Sequence, residues 1–201
     1  MPGGALGFTI ANLLTIARMV LVPAFIIFVV SNRPAWALAV FATAGISDAL
    51  DGFVARRFGQ GSSLGAFLDP LADKLLMIAA LVVLSLPDHP ASFPDFILVN
   101  RFPILLTILT ISRDVLIVLI ALVIHLATGL TRFPPTLFGK ITTVIQVMTV
   151  CTILLYNMLG IRSTAVVPGL NRLTLAATVL SGFHYIVHAA RLAGSAPDEG
   201  R

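Results

Sequence analysis

Cysteine and charged residues are scarce in this 201-residue chain. The one cysteine, Cys151, excludes an intramolecular disulfide and a cysteine-based metal site. Charged residues make up 11% of the sequence against 58% hydrophobic residues, and the mean hydropathy is +1.01, so the chain cannot cover a soluble globule with a polar surface. No basic tract is interleaved with aromatic residues, which argues against a nucleic-acid partner. The composition therefore predicts an integral membrane protein.

Long apolar runs make up most of the chain. A helix needs about 20 apolar residues to cross a bilayer core, and six such runs are separated by short segments rich in turn-forming residues. We therefore predict an all-α, polytopic fold of six transmembrane helices, in a single domain over residues 1–193 with a disordered polar tail over residues 194–201. The predicted helices are Ile10–Val30, Ala35–Val54, Leu64–Leu86, Pro103–Leu126, Leu137–Leu159 and Ala165–Leu192.

Basic residues flank these runs and predict lipid contact and orientation. The 13 Lys and Arg exceed the nine acids, which suits anionic lipid headgroups. With the N-terminus in the cytoplasm, the inner loops hold six basic residues and the outer loops four, so the positive-inside rule favours this orientation. The inner six are Arg56, Arg57, Arg132, Lys140, Arg191 and Arg201, and the outer four are Arg33, Arg101, Arg162 and Arg172.

Four of the nine acids lie within the 26 residues from Asp48 to Asp73, in a very apolar part of the chain. An ionised carboxylate at membrane depth costs about 2.5–3.5 kcal/mol on insertion scales, so four together need a neutralising cation. Helical spacing places Asp48 and Asp51 on the second predicted helix, and Asp69 and Asp73 on one stripe of the third. Together they form an oxygen cage for one or two ions, and oxygen ligands favour Mg²⁺ or Mn²⁺ over zinc.

Two residue types beside the acids suit a phosphorylated ligand. Gly52 and Gly65 leave backbone uncovered, so that a flat base or a diphosphate can lie against it. Arg56 lies about two turns beyond Asp48 and is always cationic, which suits a diphosphate.

Two other readings of the acids stay open. Arg56, Arg57 and Lys74 could pair with them in a purely structural charge cluster, although partners on the same helices cannot neutralise all four. Acids within a membrane also serve ion conduction or proton relay. Their position at one end of two helices, rather than near the midplane, speaks against transport.

The run from Asp48 to Asp73 reads Asp-x2-Asp-Gly-x2-Ala-Arg-x8-Gly-x3-Asp-x3-Asp. It matches without a departure the signature of the CDP-alcohol phosphotransferases, six-helix membrane enzymes of phospholipid synthesis. The segment from Asn12 to Arg18 also resembles the first helix of the bacterial phosphatidylglycerophosphate synthases in that family. The resemblance covers the chain from Asn12 to about Met148.

The resemblance implies transfer of the phosphatidyl group of CDP-diacylglycerol to an alcohol, with release of CMP. It implies that Asp48, Asp51 and Asp69 bind two divalent ions, and that Asp73 contacts the second ion and removes the proton of the acceptor. It further implies a bacterial-type cytoplasmic membrane or a mitochondrial inner membrane, and a homodimer, as is common in the family. The expected contacts of the cytidine diphosphate are Gly52, Ala55, Arg56 and Gly65.

Arg113 and Lys140 are the candidate ligands for a phosphate on the acceptor. Arg113 lies in the middle of the fourth predicted helix, where a cation needs an anion. Its neighbour Asp114 is the nearest anion, but adjacent helical residues point about 100° apart, so we expect the two to pair poorly. Lys140 opens the fifth helix and is the second candidate, although snorkelling toward the interface explains a lysine there equally well. Two such cations indicate glycerol 3-phosphate.

The acceptor has an alternative. The run Ser112-Arg113-Asp114-Val115 resembles the cardiolipin synthases of the same fold, which use phosphatidylglycerol. We favour glycerol 3-phosphate because of the first-helix match, and phosphoinositol-type acceptors follow well behind both. A reading of another class is a cation-conducting or transporting membrane protein, and release of CMP separates it from both enzymes.

Overall fold

The computed structural model describes residues 10–58, 63–88, 93, 96–128 and 137–194. Within the helices, it describes the side chains of residues 17–47, 74–84, 104–120, 123, 126, 137–158 and 166–187. These ranges form six helices, with no strand among the described residues, so the prediction of an all-α chain of six helices is confirmed. The helices are α1 (Ile10–Val30), α2 (Pro34–Phe58), α3 (Ser63–Leu84), α4 (Ile104–Thr128), α5 (Leu137–Met158) and α6 (Val166–Gly194).

The observed bounds differ from the predicted ones most clearly at the end of α2. This helix continues to Phe58, four residues beyond the predicted end at Val54. Ala and Arg are good helix formers, so residues 55–57 extend the helix after the apolar run has stopped. At the other end of the chain α6 includes Gly194, and residues 195–201 of the predicted tail lie outside the described residues.

Two helices end in the same left-handed cap. Asn32 has a φ of 53°, and the N–H groups of Asn32 and Arg33 donate to the carbonyls of Val29 at 3.1 Å and Phe28 at 2.9 Å. Gly160, with a φ of 65°, closes α5 with the same spacing of bonds. This Schellman arrangement satisfies the last carbonyls of a helix and lets the chain reverse within a few residues.

The chain forms two compact units, and α5 is divided between them. The single domain over residues 1–193 stays a prediction. The first unit is Met1–Arg101 with Cys151–Arg162, and the second is Phe102–Val150 with Ser163–Arg201.

In the first unit α1 packs against both α2 and α3, and α2 contacts α3. The rings of Phe25 and Phe41 lie 5.8 Å apart between centroids, and those of Phe28 and Trp36 lie 6.1 Å apart. The later residue on α1 meets the earlier residue on α2 in these pairs, so the two helices are antiparallel.

Polar side chains fasten the connection that precedes α4. Asn157 accepts from the N–H of Asn100 at 2.9 Å and donates to the carbonyl of Asn100 at 2.8 Å. The side-chain amide of Asn100 donates in turn to the carbonyl of Ile161 at 2.7 Å. Asp88 forms an ion pair with Arg101, and burial lowers the pKa of the Arg101 guanidinium from its usual value. The buried side chains of Asn100 and Asn157 are thereby paired.

In the second unit α4 packs against α6, and hydroxyl groups join α5 to α6. The hydroxyl of Thr142 donates to the carbonyl of Ala177 at 3.1 Å, and the hydroxyls of Thr149 and Thr174 lie 2.9 Å apart. The later residue on α5 again meets the earlier residue on α6, so this pair of helices is antiparallel.

The described part of the second unit buries many polar side chains and exposes large apolar ones. Leu105, Val118 and Leu126 on α4 are 66–75% exposed. A soluble protein seldom exposes so many large apolar side chains along one helix, whereas lipid accepts them. The buried polar side chains of the unit are Thr107, Thr110, Asp114, Thr142, Gln146, Thr149, Thr174, Thr178 and Ser181.

Two stretches of helix, over the residues that the structure describes, are long and apolar enough to cross a membrane. They are Leu137–Met158 and Val166–Val187. The apolar stretches described on the first three helices are shorter, at Ala17–Val30, Pro34–Ser47 and Lys74–Leu84. Membrane crossing by all six helices stays a prediction.

Candidate functional site

The four motif acids lie at two levels of α2 and α3. Asp48 lies ten residues before the last residue of α2, and Asp73 lies ten residues after the first residue of α3. Asp51 and Asp69 lie seven and six residues from the same helix ends. The two helices are in contact and joined by a four-residue connection, so they run antiparallel and their ends share a level. At about 1.5 Å of rise per residue each pair of acids lies at one depth, although their side chains lie outside the described residues.

The buried face of α2 leads to the first two acids. Ala37, Phe41 and Ala44 are at most 5% exposed and follow one another at i, i+4 and i+7. The same helical face continues four residues further at Asp48 and seven further at Asp51. Both acids therefore occupy positions that extend the face of α2 that packs inside the unit.

The buried face of α3 leads to the other two acids. Leu76, Ala80 and Leu84 are at most 4% exposed and are spaced by four residues. Three residues before Leu76, the same stripe reaches Asp73, and four before that Asp69. The buried faces of the described halves of α2 and α3 therefore continue, by helical spacing, to the positions of all four acids.

Arg18 is a buried cation to which the sequence pattern assigned no role. Its side chain is 2% exposed and lies seven residues before Phe25, on the same face of α1. Phe25 packs on Phe41, and Asp48 lies seven residues after Phe41. Because α1 and α2 are antiparallel, Arg18 and Asp48 lie at the same level, about 10 Å from the ring pair. An arginine inside an apolar helix was the signal in the sequence.

The predicted metal and nucleotide ligands share this end of the first unit. Among the residues whose side chains the structure describes, no group of three or more His, Cys, Asp or Glu could hold a metal. The four acids, whose side chains lie outside that set, form a donor set of carboxylate oxygens, which fits Mg²⁺ or Mn²⁺. Their metal binding stays a prediction. The predicted contacts of the cytidine diphosphate lie on the last two turns of α2 and the first turn of α3, also without described side chains; they are Gly52, Ala55, Arg56 and Gly65.

Arg113 on α4 is neutralised by its neighbour. Its Nη1 donates to Oδ1 of Asp114 at 2.8 Å, and both side chains are 9% exposed. The expectation that these adjacent residues pair poorly was wrong. The angle of about 100° separates their Cβ directions, but the long arginine side chain bends back to reach the carboxylate.

Ser181 on α6 is hydrogen-bonded to the second terminal nitrogen of the same guanidinium. Its hydroxyl is fully buried and accepts a hydrogen bond from Nη2 of Arg113. A Cβ added at the next residue, Gly182, would lie 3.6 Å from Cγ of Arg113, which is an ordinary contact. Sequence reasoning missed Ser181, because a serine in an apolar helix looks the same whether it packs or bonds.

Lys140 lies in the first turn of α5 and is exposed. Exposure agrees with snorkelling toward the membrane surface. A phosphate contact for Lys140 stays a prediction, as it does for Arg113.

The chain is similar in sequence to known proteins, in two of the three cases below over about nine tenths of its length. The sequence pattern of the family described as CDP-alcohol phosphatidyltransferase matches residues 8–186. A probable phosphatidylglycerophosphate synthase of Mycobacterium tuberculosis is 30% identical over 190 residues, which cover 90% of this chain and 82% of that protein. Human cardiolipin synthase (CMP-forming) is 30% identical over 197 residues, which cover 89% of this chain and 62% of the human protein. A CDP-diacylglycerol–glycerol-3-phosphate 3-phosphatidyltransferase of Escherichia coli is 42% identical over 85 residues, covering 41% of this chain and 47% of that protein.

The match to the family pattern extends from α1 to α6 and includes the whole acidic motif. The chain therefore belongs to the CDP-alcohol phosphatidyltransferase family, as the motif predicted. It spans less than two thirds of the length of its human relative.

Proposed function

We propose that the chain transfers the phosphatidyl group of CDP-diacylglycerol to glycerol 3-phosphate, giving phosphatidylglycerophosphate and CMP. The observation that carries this is the register of the four acids, which extend the inward faces of two antiparallel helices at two matching levels. Relatives named for this reaction in Mycobacterium tuberculosis and Escherichia coli support the choice of acceptor.

The acids are the proposed centre of the reaction. Asp48, Asp51, Asp69 and Asp73 would hold two Mg²⁺ or Mn²⁺ ions, which neutralise charge on a diphosphate and orient a displacement when bound. Asp73 takes the proton from the acceptor hydroxyl. The acceptor oxygen then bonds to the phosphorus that carries diacylglycerol, and the bond from that phosphorus to CMP breaks. Arg56 binds the diphosphate as a fixed cation.

Arg113 is the proposed ligand for the phosphate of the acceptor, with Lys140 as a second cation. Asp114 and Ser181 fix the guanidinium of Arg113 before any substrate arrives. An arginine side chain that is already held in place loses little conformational freedom when it binds a phosphate, which favours affinity.

The proposed setting is a bacterial-type cytoplasmic membrane, with six spanning helices and with the N-terminus and the acids on the cytoplasmic side. The exposed apolar and buried polar side chains described in the second unit support membrane embedding. Contact with membrane lipids follows from it, and a homodimer is part of the proposal by resemblance to the family.

A second candidate is cardiolipin synthesis from CDP-diacylglycerol and phosphatidylglycerol. The ion pair between Arg113 and Asp114 favours it, because a neutralised arginine attracts a doubly charged phosphomonoester less than a free one does. The name of the human relative points the same way. Cation transport, the candidate of another class, would produce no CMP.

The test is an assay in liposomes containing CDP-diacylglycerol and Mg²⁺ or Mn²⁺. Glycerol 3-phosphate, phosphatidylglycerol and inositol phosphate are offered separately, and the lipid products are identified by mass spectrometry. Phosphatidylglycerophosphate from the first acceptor is the expected product. Cardiolipin from the second would establish the alternative, and an intact nucleotide lipid with all three would overturn both.

A further inference from the structure

Among the buried side chains of the second unit, three uncharged residues on three different helices have a polar atom with no hydrogen-bond partner among the described residues and lie near Arg113. They are Thr110 on α4, Gln146 on α5 and Thr178 on α6, and each is at most 3% exposed. The unpaired atoms are the two threonine Oγ1 atoms and the Nε2 of Gln146. A buried polar group without a partner costs free energy, so three in one unit indicate a missing ligand or water.

The two threonines depart from the pattern of the threonines around them. The hydroxyls of Thr142 and Thr149 donate to the carbonyls four residues back in their own helix, both at 2.8 Å. This local bond is open to any threonine in a helix. Thr110 and Thr178 do not make it, so their hydroxyls are available to something outside their own helices.

The three groups lie at similar levels, within about two helical turns of the contact between Arg113 and Ser181. Thr110 lies three residues before Arg113, and Thr178 three residues before Ser181, so each is within about one turn of that contact. Gln146 lies between two residues of α5 whose bonds to α6 place it beside the same stretch of that helix. Those bonds are Thr142 to Ala177 and Thr149 to Thr174.

Arg113 adds one more unsatisfied donor in this region. Its two terminal nitrogens bond to Asp114 and Ser181, but its Nε has no hydrogen-bond partner among the described residues. The set therefore offers two donor nitrogens and two hydroxyls, and each hydroxyl can donate or accept. This combination matches a molecule with several oxygens, some of them hydroxyl groups and some charged.

We propose that Thr110, Gln146 and Thr178 form, beside Arg113, the pocket for the glycerol phosphate moiety of the acceptor. Free glycerol 3-phosphate and the headgroup of phosphatidylglycerol both carry a glycerol esterified to phosphate, as a phosphomonoester in the first and a phosphodiester in the second, so the pocket serves either source. The identity of this substrate rests on the proposed function, whereas the unpaired groups do not. In this proposal Thr110, Gln146 and Thr178 determine which acceptor is bound, because their polar atoms bond to no described residue.

The experiment measures CMP release while the acceptor concentration is varied, for Thr110→Val, Thr178→Val and Gln146→Met. Each change removes a polar group that bonds to no described residue, so the Tm in detergent stays equal or rises. The KM for the acceptor rises about 3- to 10-fold, as expected for one lost hydrogen bond. The KM for CDP-diacylglycerol stays unchanged. Running glycerol 3-phosphate and phosphatidylglycerol as separate arms identifies the source, since only the true acceptor shows the shift.

Thr149→Val is the matched control. Its hydroxyl is paired with Thr174 and with a carbonyl of its own helix, so the change lowers the Tm and leaves the KM for the acceptor unaltered. Unchanged KM values in all three test variants, together with equal or higher Tm, would mean that the groups hold ordered water only and would overturn the proposal. Lower Tm values like that of the control would also overturn it.

A second measurement separates this proposal from the proposed function. Glycerol 3-phosphate, without CDP-diacylglycerol, should raise the Tm of the wild-type protein and raise it less in the three variants. If the wild-type protein releases no CMP but keeps this shift, the proposed function fails and the pocket stands. If CMP forms while the three variants match the wild type in Tm shift and in KM, the pocket fails alone.

Discussion

The rings of Phe25 and Phe41, 5.8 Å apart, fix the register of α1 on α2. Two turns beyond this pair, on the same faces, lie the buried Arg18 and the first acid of the motif, Asp48. Arg18 is therefore a cation of the protein itself that lies at the same level as Asp48, at the acidic end of the first unit. A buried charge is stable only with a counter-charge, so we expect Arg18 to compensate the acids before metal binds.

Arg18→Met should lower the Tm in metal-free detergent by about 10 °C, because it removes one partner of a buried charge cluster. Adding Asp48→Asn should restore part of the loss, since removing both partners of such a pair is much less costly than removing one. Arg33→Met, at an exposed arginine just after α1, is the control and should leave the Tm unchanged. Additive losses in the double variant would contradict the pairing.

Much of the fold could be predicted because apolar runs and turn residues are local signals. α1 begins and ends where its apolar run does, at Ile10 and Val30, and Asn32 supplies the left-handed cap that follows. The end of α2 was misplaced because Arg56 and Arg57 lower hydropathy without disfavouring a helix. Hydropathy predicts which residues lie in lipid, whereas a helix can continue beyond them through polar residues of high helix propensity.

Ser181→Ala should raise the KM for the acceptor about 5-fold and lower the Tm by a few degrees. The change removes the hydroxyl that accepts from Nη2 of Arg113, and hydrogen bonds to charged groups contribute about 1.5–3 kcal/mol. The kcat for CMP release should change less than the KM, because the lost hydrogen bond positions Arg113, which is proposed to bind the acceptor and not to take part in the chemical step.

Gly182→Ala provides the control for Ser181→Ala at the neighbouring residue. The added Cβ would sit 3.6 Å from Cγ of Arg113, at ordinary contact distance. This variant should keep the wild-type KM, and its Tm should be equal or higher because alanine favours a helix more than glycine does. Equal effects of the two substitutions would indicate that α6 packing, and not the bond to Arg113, sets the KM.

The candidate site could be predicted in its acids and much less in their surroundings. Four carboxylates in an apolar chain are rare enough for Asp48 and Asp73 to stand out by composition alone. Ser181 and Thr178 are common residues whose meaning depends on what lies across the helix interface. The pairing of Arg113 with Asp114 was misjudged because spacing gives Cβ directions and not the reach of a long side chain.

Removal of divalent metal with EDTA should stop CMP release, and Mg²⁺ or Mn²⁺ should restore it. Zinc should restore less, because the predicted ligands are all carboxylate oxygens and no imidazole or thiolate belongs to the motif. The Tm measured with and without EDTA shows whether the protein stays folded. A full rate of CMP release in EDTA would rule out the metal-dependent mechanism.

Asp73→Asn should abolish CMP release while leaving Mn²⁺ binding partly intact. The amide keeps the size of the side chain and one oxygen, but it cannot take a proton from the acceptor hydroxyl. Three of the four motif carboxylates remain to bind Mn²⁺, which electron paramagnetic resonance of the purified protein measures directly. Asp88→Asn is the control, because Asp88 pairs with Arg101 outside the motif, and it should keep the wild-type rate. Unchanged turnover in Asp73→Asn would remove Asp73 from its role as the base and leave it only a metal ligand.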